Sequence, residues 1–131
     1  MAAAGPPLDG KDLLSAVTTA MVALHEHCHH RTPVSAKSQM LGDDLLACVL
    51  GGVYTDVEKT LIELQRTPSV QENRSAFQIA VEPRFVHAVE RLSGRRVLQF
   101  MSTHNIGPDL EIELFVLGPA GSDAVQERVG G

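Results

Sequence analysis

The chain has 131 residues, enough for one domain on the usual span of roughly 100–200 residues. Eleven Lys and Arg against sixteen Asp and Glu leave a formal charge of −5, which argues against the broad basic footprint of a nucleic-acid-binding surface. Aromatic residues make up only 4%, with no Trp, so a stacking platform for single strands is excluded as well.

Residues 1–8 are rich in Ala, Gly and Pro and read as a loose tail. Met1 to Pro7 lacks the basic head of a signal peptide, and Lys11 and Asp12 interrupt any apolar run that follows. Asp9 or Asp12 opens a first helix. Its stripe of Leu13, Val17, Ala20/Met21, Leu24 and Cys28 recurs at helical spacing, and Pro33 ends it near His30. Val34 to Met40 then alternates as a strand with one wet face. Leu41-Gly42-Asp43-Asp44 is a turn, and Leu45 to Leu50 is a more apolar second strand. Lys37 guards the edge of the first strand against unwanted pairing.

The longest uncharged apolar stretch, Leu45 to Tyr54, contains two glycines and falls short of the about 20 residues a membrane helix needs. The expectation is a soluble, cytoplasmic protein whose two cysteines, Cys28 and Cys48, stay reduced. Thr55 to Glu58 matches a capping box and starts a helix carrying Val57, Leu61, Ile62 and Leu64. A further helix spans Ser69 to Ser93, with Phe77, Val81, Phe85, Ala88, Val89 and Leu92 inward; Pro83 should kink or split it, and Gly94 caps it. Val97 to Thr103 is a third strand and Asn105 to Asp109 a turn. A fourth strand places Leu110, Ile112, Leu114 and Val116 inward, with Glu111 and Glu113 outward. Residues 118–131 read as a second tail. The order α-β-β-α-α-β-β predicts a two-layer α+β domain over residues 9–117: a four-stranded antiparallel sheet with helices on one face.

Arg31-Thr32-Pro33 leads into a hairpin with Gly42-Asp43 at its turn. Gly52 to Leu61 is similar to a G-x-L-T-x-x-E-K-x-L stretch, with Tyr54 in place of Leu. Leu92-Ser93-Gly94-Arg95-Arg96-Val97 is similar to a T-G-R-x-V segment, and Phe115-Val116-Leu117 closes the pattern. Together these three segments resemble the MpsC-type family, named for a sodium-translocating, membrane-potential-generating system. His30-Arg31-Thr32-Pro33 departs from the family's Gly-x-Gly-Pro. The pattern positions here are Pro33, Thr55, Glu58, Lys59, Gly94 and Arg95. The resemblance implies an accessory role in ion transport or bicarbonate supply at a membrane. It brings no catalytic residue with it.

His25-Glu26-His27-Cys28-His29-His30 is the densest cluster of potential ligands. At helical spacing His25 and His29 share a face with Cys28 beside them, a set that suits zinc or another transition metal. A closed site needs a fourth group, for which His87 and His104 are candidates. The simpler account is a polar helix end whose histidines complement the dipole. Thr55 and Glu58 are explained by capping, and Lys59 is free to pair with Glu63 four residues on. Arg74, Arg84, Arg91, Arg95 and Arg96 read as a solvated basic face balancing Glu72, Glu82 and Glu90. No phosphate loop, nucleotide-binding glycine turn or nucleophile elbow is present. The expectation is therefore a non-catalytic accessory or interaction domain without a cofactor. Its partner is a protein such as membrane transporter subunits, with no nucleic acid and no membrane insertion. A thin, aliphatic core also favours a homodimer. The alternative is a metal- or anion-binding sensor built on His25, Cys28 and His29.

Overall fold

Residues 5–120 are described by a computed structural model. The expected tails fall largely outside them, at residues 1–4 and 121–131. Helix α1, Gly10–His29, buries Leu13, Val17, Met21 and His25, one residue per turn down a single face. It stops at His30, whose left-handed backbone (φ 55°) returns its N–H to the Glu26 carbonyl. Strands β1, Ser35–Leu41, and β2, Leu45–Gly51, form the expected hairpin around Gly42.

Helix α2, Asp56–Glu63, opens on the capping box. Thr55 Oγ1 accepts from the Glu58 N–H at 3.2 Å, and the Glu58 carboxylate accepts from the Thr55 N–H at 2.9 Å. Helix α3, Thr67–Ser93, starts two residues earlier than the sequence suggested, because Pro68 is tolerated in a first turn where no amide partner is needed. It also runs through Pro83 as one helix and is not split there. Pro83 and Ile79, whose carbonyl loses the missing N–H, both lie on the exposed side, where water can take the bond's place. Gly94 (φ 67°) closes the helix, and the Leu8 N–H bonds to the Leu92 carbonyl beside it.

Strands β3, Val97–Asn105, and β4, Leu110–Leu117, form the second hairpin. The four strands are antiparallel in the order β1-β2-β4-β3, so β2 and β4 are central and join the two hairpins. Helix α1 packs on β1 and β2, α3 packs on β3 and on α1, and α2 rests on α3. This is the expected two-layer α+β architecture, with the core between the helices and one sheet face. Leu46, Cys48 and Leu50 of β2 and Phe115 of β4 are fully buried there against Val17, Met21 and Val89.

Two side-chain expectations are corrected. In β4 the parity is the reverse of that expected: Glu111, Glu113, Phe115 and Leu117 face the helices, while Leu110, Ile112, Leu114 and Val116 are half-buried on the other face. Residues 114–117 are apolar at both parities, so alternation alone could not fix the inward face. The register set by the neighbouring strands does. Phe77 is 45% exposed and packs on the His29 ring. The buried stripe of α3 runs Val70, Arg74, Val81, Phe85, Ala88, and Phe77 lies beside it.

Gly52 joins β2 to the α2 cap with φ +66°, and a Cβ there would stand 2.5 Å from Val34 Cγ2. Gly52→Ala is therefore expected to cost about 1–3 kcal/mol from backbone strain and the clash. Thermal unfolding by circular dichroism measures it, and an unchanged midpoint would contradict the reading.

Candidate functional site

The basic face expected around Arg74 is not solvated at that residue. Arg74 lies on the buried stripe of α3 and is only 3% exposed. Its Nε donates to Glu58 Oε2 at 2.8 Å and its Nη2 to Glu58 Oε1 at 2.6 Å, a two-pronged ion pair. Nη1 donates to Glu111 Oε1 at 3.1 Å and to His25 Nε2 at 3.3 Å, and Nη2 also donates to the Val53 carbonyl at 2.8 Å. The Tyr54 ring covers the guanidinium, with Cζ 4.7 Å from its centroid. One side chain thus ties α3 to α1, to the β2–α2 connection, to α2 and to β4.

The sequence builds this arrangement locally. The capping box fixes Glu58 at the start of α2, where one carboxylate serves both the Thr55 amide and the arginine. Asp109, in the β3–β4 turn, accepts from the N–H groups of Val53 at 2.8 Å and Tyr54 at 3.3 Å. It thereby holds the carbonyl of Val53 and the ring of Tyr54 against Arg74. The reversed parity of β4 delivers Glu111 from the sheet.

Electrostatics follow from this packing. Burial works against the charges of Arg74 and Glu58, but their mutual hydrogen bonds and attraction outweigh it. Glu58, also bonded to Thr55, is held below the usual carboxylate range, and Arg74 is held above its usual value. An arginine only donates, so His25 Nε2 must accept, which leaves Nδ1–H to donate to the Arg31 carbonyl at 3.3 Å. His25 is thus the neutral Nδ1–H tautomer, and burial lowers its pKa further. Burial first, and then Glu111, push the fully buried Glu113 carboxyl up to about 9, while Ser102 Oγ donates to it at 2.8 Å. Burial pushes the Tyr54 phenol up to about 12.

The two histidines of the expected ligand trio are engaged with other partners. His25 spends both ring nitrogens on protein groups. The His29 ring lies tilted against that of His25 at 4.6 Å between centroids and against Phe77 at 5.0 Å. Cys28 is half-buried, and burial raises its thiol, which disfavours the thiolate a metal needs. His104 pairs in register with Glu111 on the neighbouring strand, and His87 is exposed on α3. Among the described residues no three His, Cys, Asp or Glu converge as a ligand set.

His29 carries a test of this packing. Burial, Arg74 and His25 lower it to about 4, from 6.5 for a free imidazole. Between those values the unfolded chain binds a proton that the folded chain does not. Stability should therefore fall as the pH drops from 6.5 to about 4. His29→Gln should flatten that part of a urea-unfolding profile, and an unchanged slope would contradict the placement.

Most of the other pattern positions have local structural duties. Pro33 is buried after α1, Gly94 is the left-handed cap of α3, and Arg95 Nε donates to the Gly118 carbonyl at 2.8 Å. Lys59 is the exception. It is exposed, forms no ion pair with Glu63 among the described residues, and lines a shallow cavity of about 270 Å³ with Tyr54, Ile62, Glu63, Ile106 and Asp109. A larger cavity, about 420 Å³ between α3 and β3, is lined by Glu82, Pro83, Val86 and residues 97–100. Neither is lined by Arg74, Glu58 or Glu111. Arg74 and Glu111 are buried, Glu58 is half-buried, and their charged groups are bonded to one another, so the chemistry of this trio is that of a clasp; Tyr54 and Asp109, which flank it, reach the smaller cavity.

Sequence reasoning missed Arg74, Glu111 and Asp109. The usable signal was an arginine in step with Val70, Val81 and Phe85, on the apolar side of its helix.

Residues 10–118 match the family model described as the Na+-translocating membrane potential-generating system (MpsC), which covers most of the chain. The chain therefore belongs to the MpsC family. No curated protein and no solved structure matches it.

Proposed function

We propose that this MpsC-family domain is a non-catalytic accessory module, working on the cytoplasmic side of a membrane-potential system by docking to its ion-transporting subunits. Family membership supports the link to such a system. No helix among the described residues is long and apolar enough to cross a membrane, so these residues supply no helical path for an ion. The observation that carries the reading is the self-paired Arg74 centre. Arg74, Glu58 and Glu111 are spent on one another and on the backbone, with side-chain exposures of 2%, 15% and 7%. What the fold offers outward is surface for recognition.

The test is affinity capture from native membranes with the purified chain as bait. Recovery of integral-membrane ion-transport subunits at a fixed ratio is expected. Their absence, or turnover of a substrate by the isolated chain, would overturn the reading.

A further inference from the structure

The face of the sheet turned away from the helices has no covering element among the described residues. Its centre is apolar. β2 contributes Leu45, Ala47 and Val49, and β4 contributes Ile112, Leu114 and Val116, all half-buried. The edge strands supply a mixed rim, Gln39 and the exposed Leu41 on β1 and Gln99, Thr103 and the exposed Met101 on β3, with Lys37 as the single charge. An apolar centre that runs out to exposed Leu41 and Met101 at the edges, with a few polar groups between, fits a protein interface.

We infer that a second copy of this chain covers that face, packing sheet on sheet about an axis parallel to the strands. The inference rests on reading the domain as an interaction module, and three observations select a second copy. First, the face carries no carboxylate and one ammonium, so a charged partner finds little to pair with. Second, the register is self-complementary. Lys37, Val49, Ile112 and Thr103 form one row across the sheet, and Gln39, Ala47, Leu114 and Met101 form another. A two-fold axis along the strands sets β1 of one copy over β3 of the other. Lys37 then meets Thr103, Val49 meets Ile112, and the small Ala47 receives the large Leu114. The alternative in-plane axis, across the strands, sets β1 over β1 and β4 over β4; it places the Lys37 of both copies on the same edge and never brings Ala47 onto Leu114. Third, the area approaches what a dimer needs. Four strands about 4.8 Å apart and seven residues long cover roughly 450 Å² per copy as a flat patch. Two copies bury about 900 Å² before side-chain relief is counted, close to the ~1,000 Å² a specific interface needs. Aligned sheets interdigitate in this way at about 10 Å separation.

Sedimentation equilibrium of the purified chain across micromolar concentrations tests this. A mass of twice 14.1 kDa is expected. Leu114→Lys should weaken association at least 100-fold while far-UV circular dichroism stays unchanged. Thr103→Glu should tighten it several-fold at low salt by giving Lys37 of the other copy a partner, and Thr103→Lys should weaken it. Phe77→Ser, on the helix side, should leave it unaltered. A monomer at every concentration would overturn the inference, as would a dimer indifferent to Leu114→Lys and both Thr103 variants. A monomeric wild type that sediments with anionic phospholipid vesicles, and loses this with Leu114→Lys, would assign the face to a lipid surface and overturn it too. A dimer that captures no transport subunit would sink the docking proposal and leave this inference standing. A monomer that captures them would do the reverse.

Discussion

Arg74→Ala is expected to remove about 3–5 kcal/mol of folding stability, a large share of the roughly 5–15 kcal/mol a domain possesses. The change strips Glu58 of both guanidinium contacts, leaves Glu111 without its 3.1 Å partner, and deprives the Val53 carbonyl of a donor. Each of these groups is mostly shut off from water, so the loss is dominated by groups left buried and unpaired. Arg74→Lys should fall between the two, because one ammonium cannot span Glu58, Glu111 and Val53 together. A combined Arg74→Met, Glu58→Gln, Glu111→Gln variant should be more stable than Arg74→Ala alone. It removes the charges together, and the side-chain amide introduced by Glu58→Gln can still accept from the Thr55 N–H. Equilibrium urea unfolding measures all three. A loss below about 1 kcal/mol for Arg74→Ala would show that the network does not hold the elements together.

Glu113→Gln is expected to change the pH dependence of stability more than any other single substitution. The carboxyl is fully buried, and burial and Glu111 raise it from 4.5 to about 9. Between those values the folded chain holds a proton that the unfolded chain releases. Stability therefore falls as the pH rises through this window, by up to about 1.4 kcal/mol per pH unit. Below pH 6.5 the buried His25 and half-buried His29 act in the opposite sense, so the clearest reading lies between pH 6.5 and about 9. An amide is neutral throughout and can still accept from Ser102. The variant should be flatter in this range and more stable than wild type at its alkaline end. A slope unchanged by the substitution would place the alkaline loss elsewhere.

The architecture was legible in the sequence wherever one local rule acted alone. The stripe of α1, the hairpin at Gly42, the capping box of Thr55 and Glu58 and the glycine cap of α3 each follow from spacing or turn chemistry within a few residues. The strand β4 was misread because residues 114–117 are apolar on both sides, and only its pairing with β2 and β3 decides the inward face. The polar centre was illegible for a related reason. Glu58, Arg74 and Glu111 are far apart in the chain, and each has an ordinary local explanation as a cap, a surface arginine or the wet side of a strand. Only the assembled layers show that they converge. His25 shows the reverse case: its local company suggested a metal, whereas its tertiary partners, Arg31 and Arg74, occupy both nitrogens.

The division between a self-paired polar centre and a recognising surface is tested most directly by capture from native membranes with wild type and Glu113→Gln side by side. The substitution changes the buried carboxyl beside Glu111 and leaves every exposed group in place. Both baits, shown folded by circular dichroism, should recover the same integral-membrane ion-transport subunits in the same ratio. Loss of capture by a folded Glu113→Gln chain would place function in the centre itself, and failure of both baits would contradict the docking role.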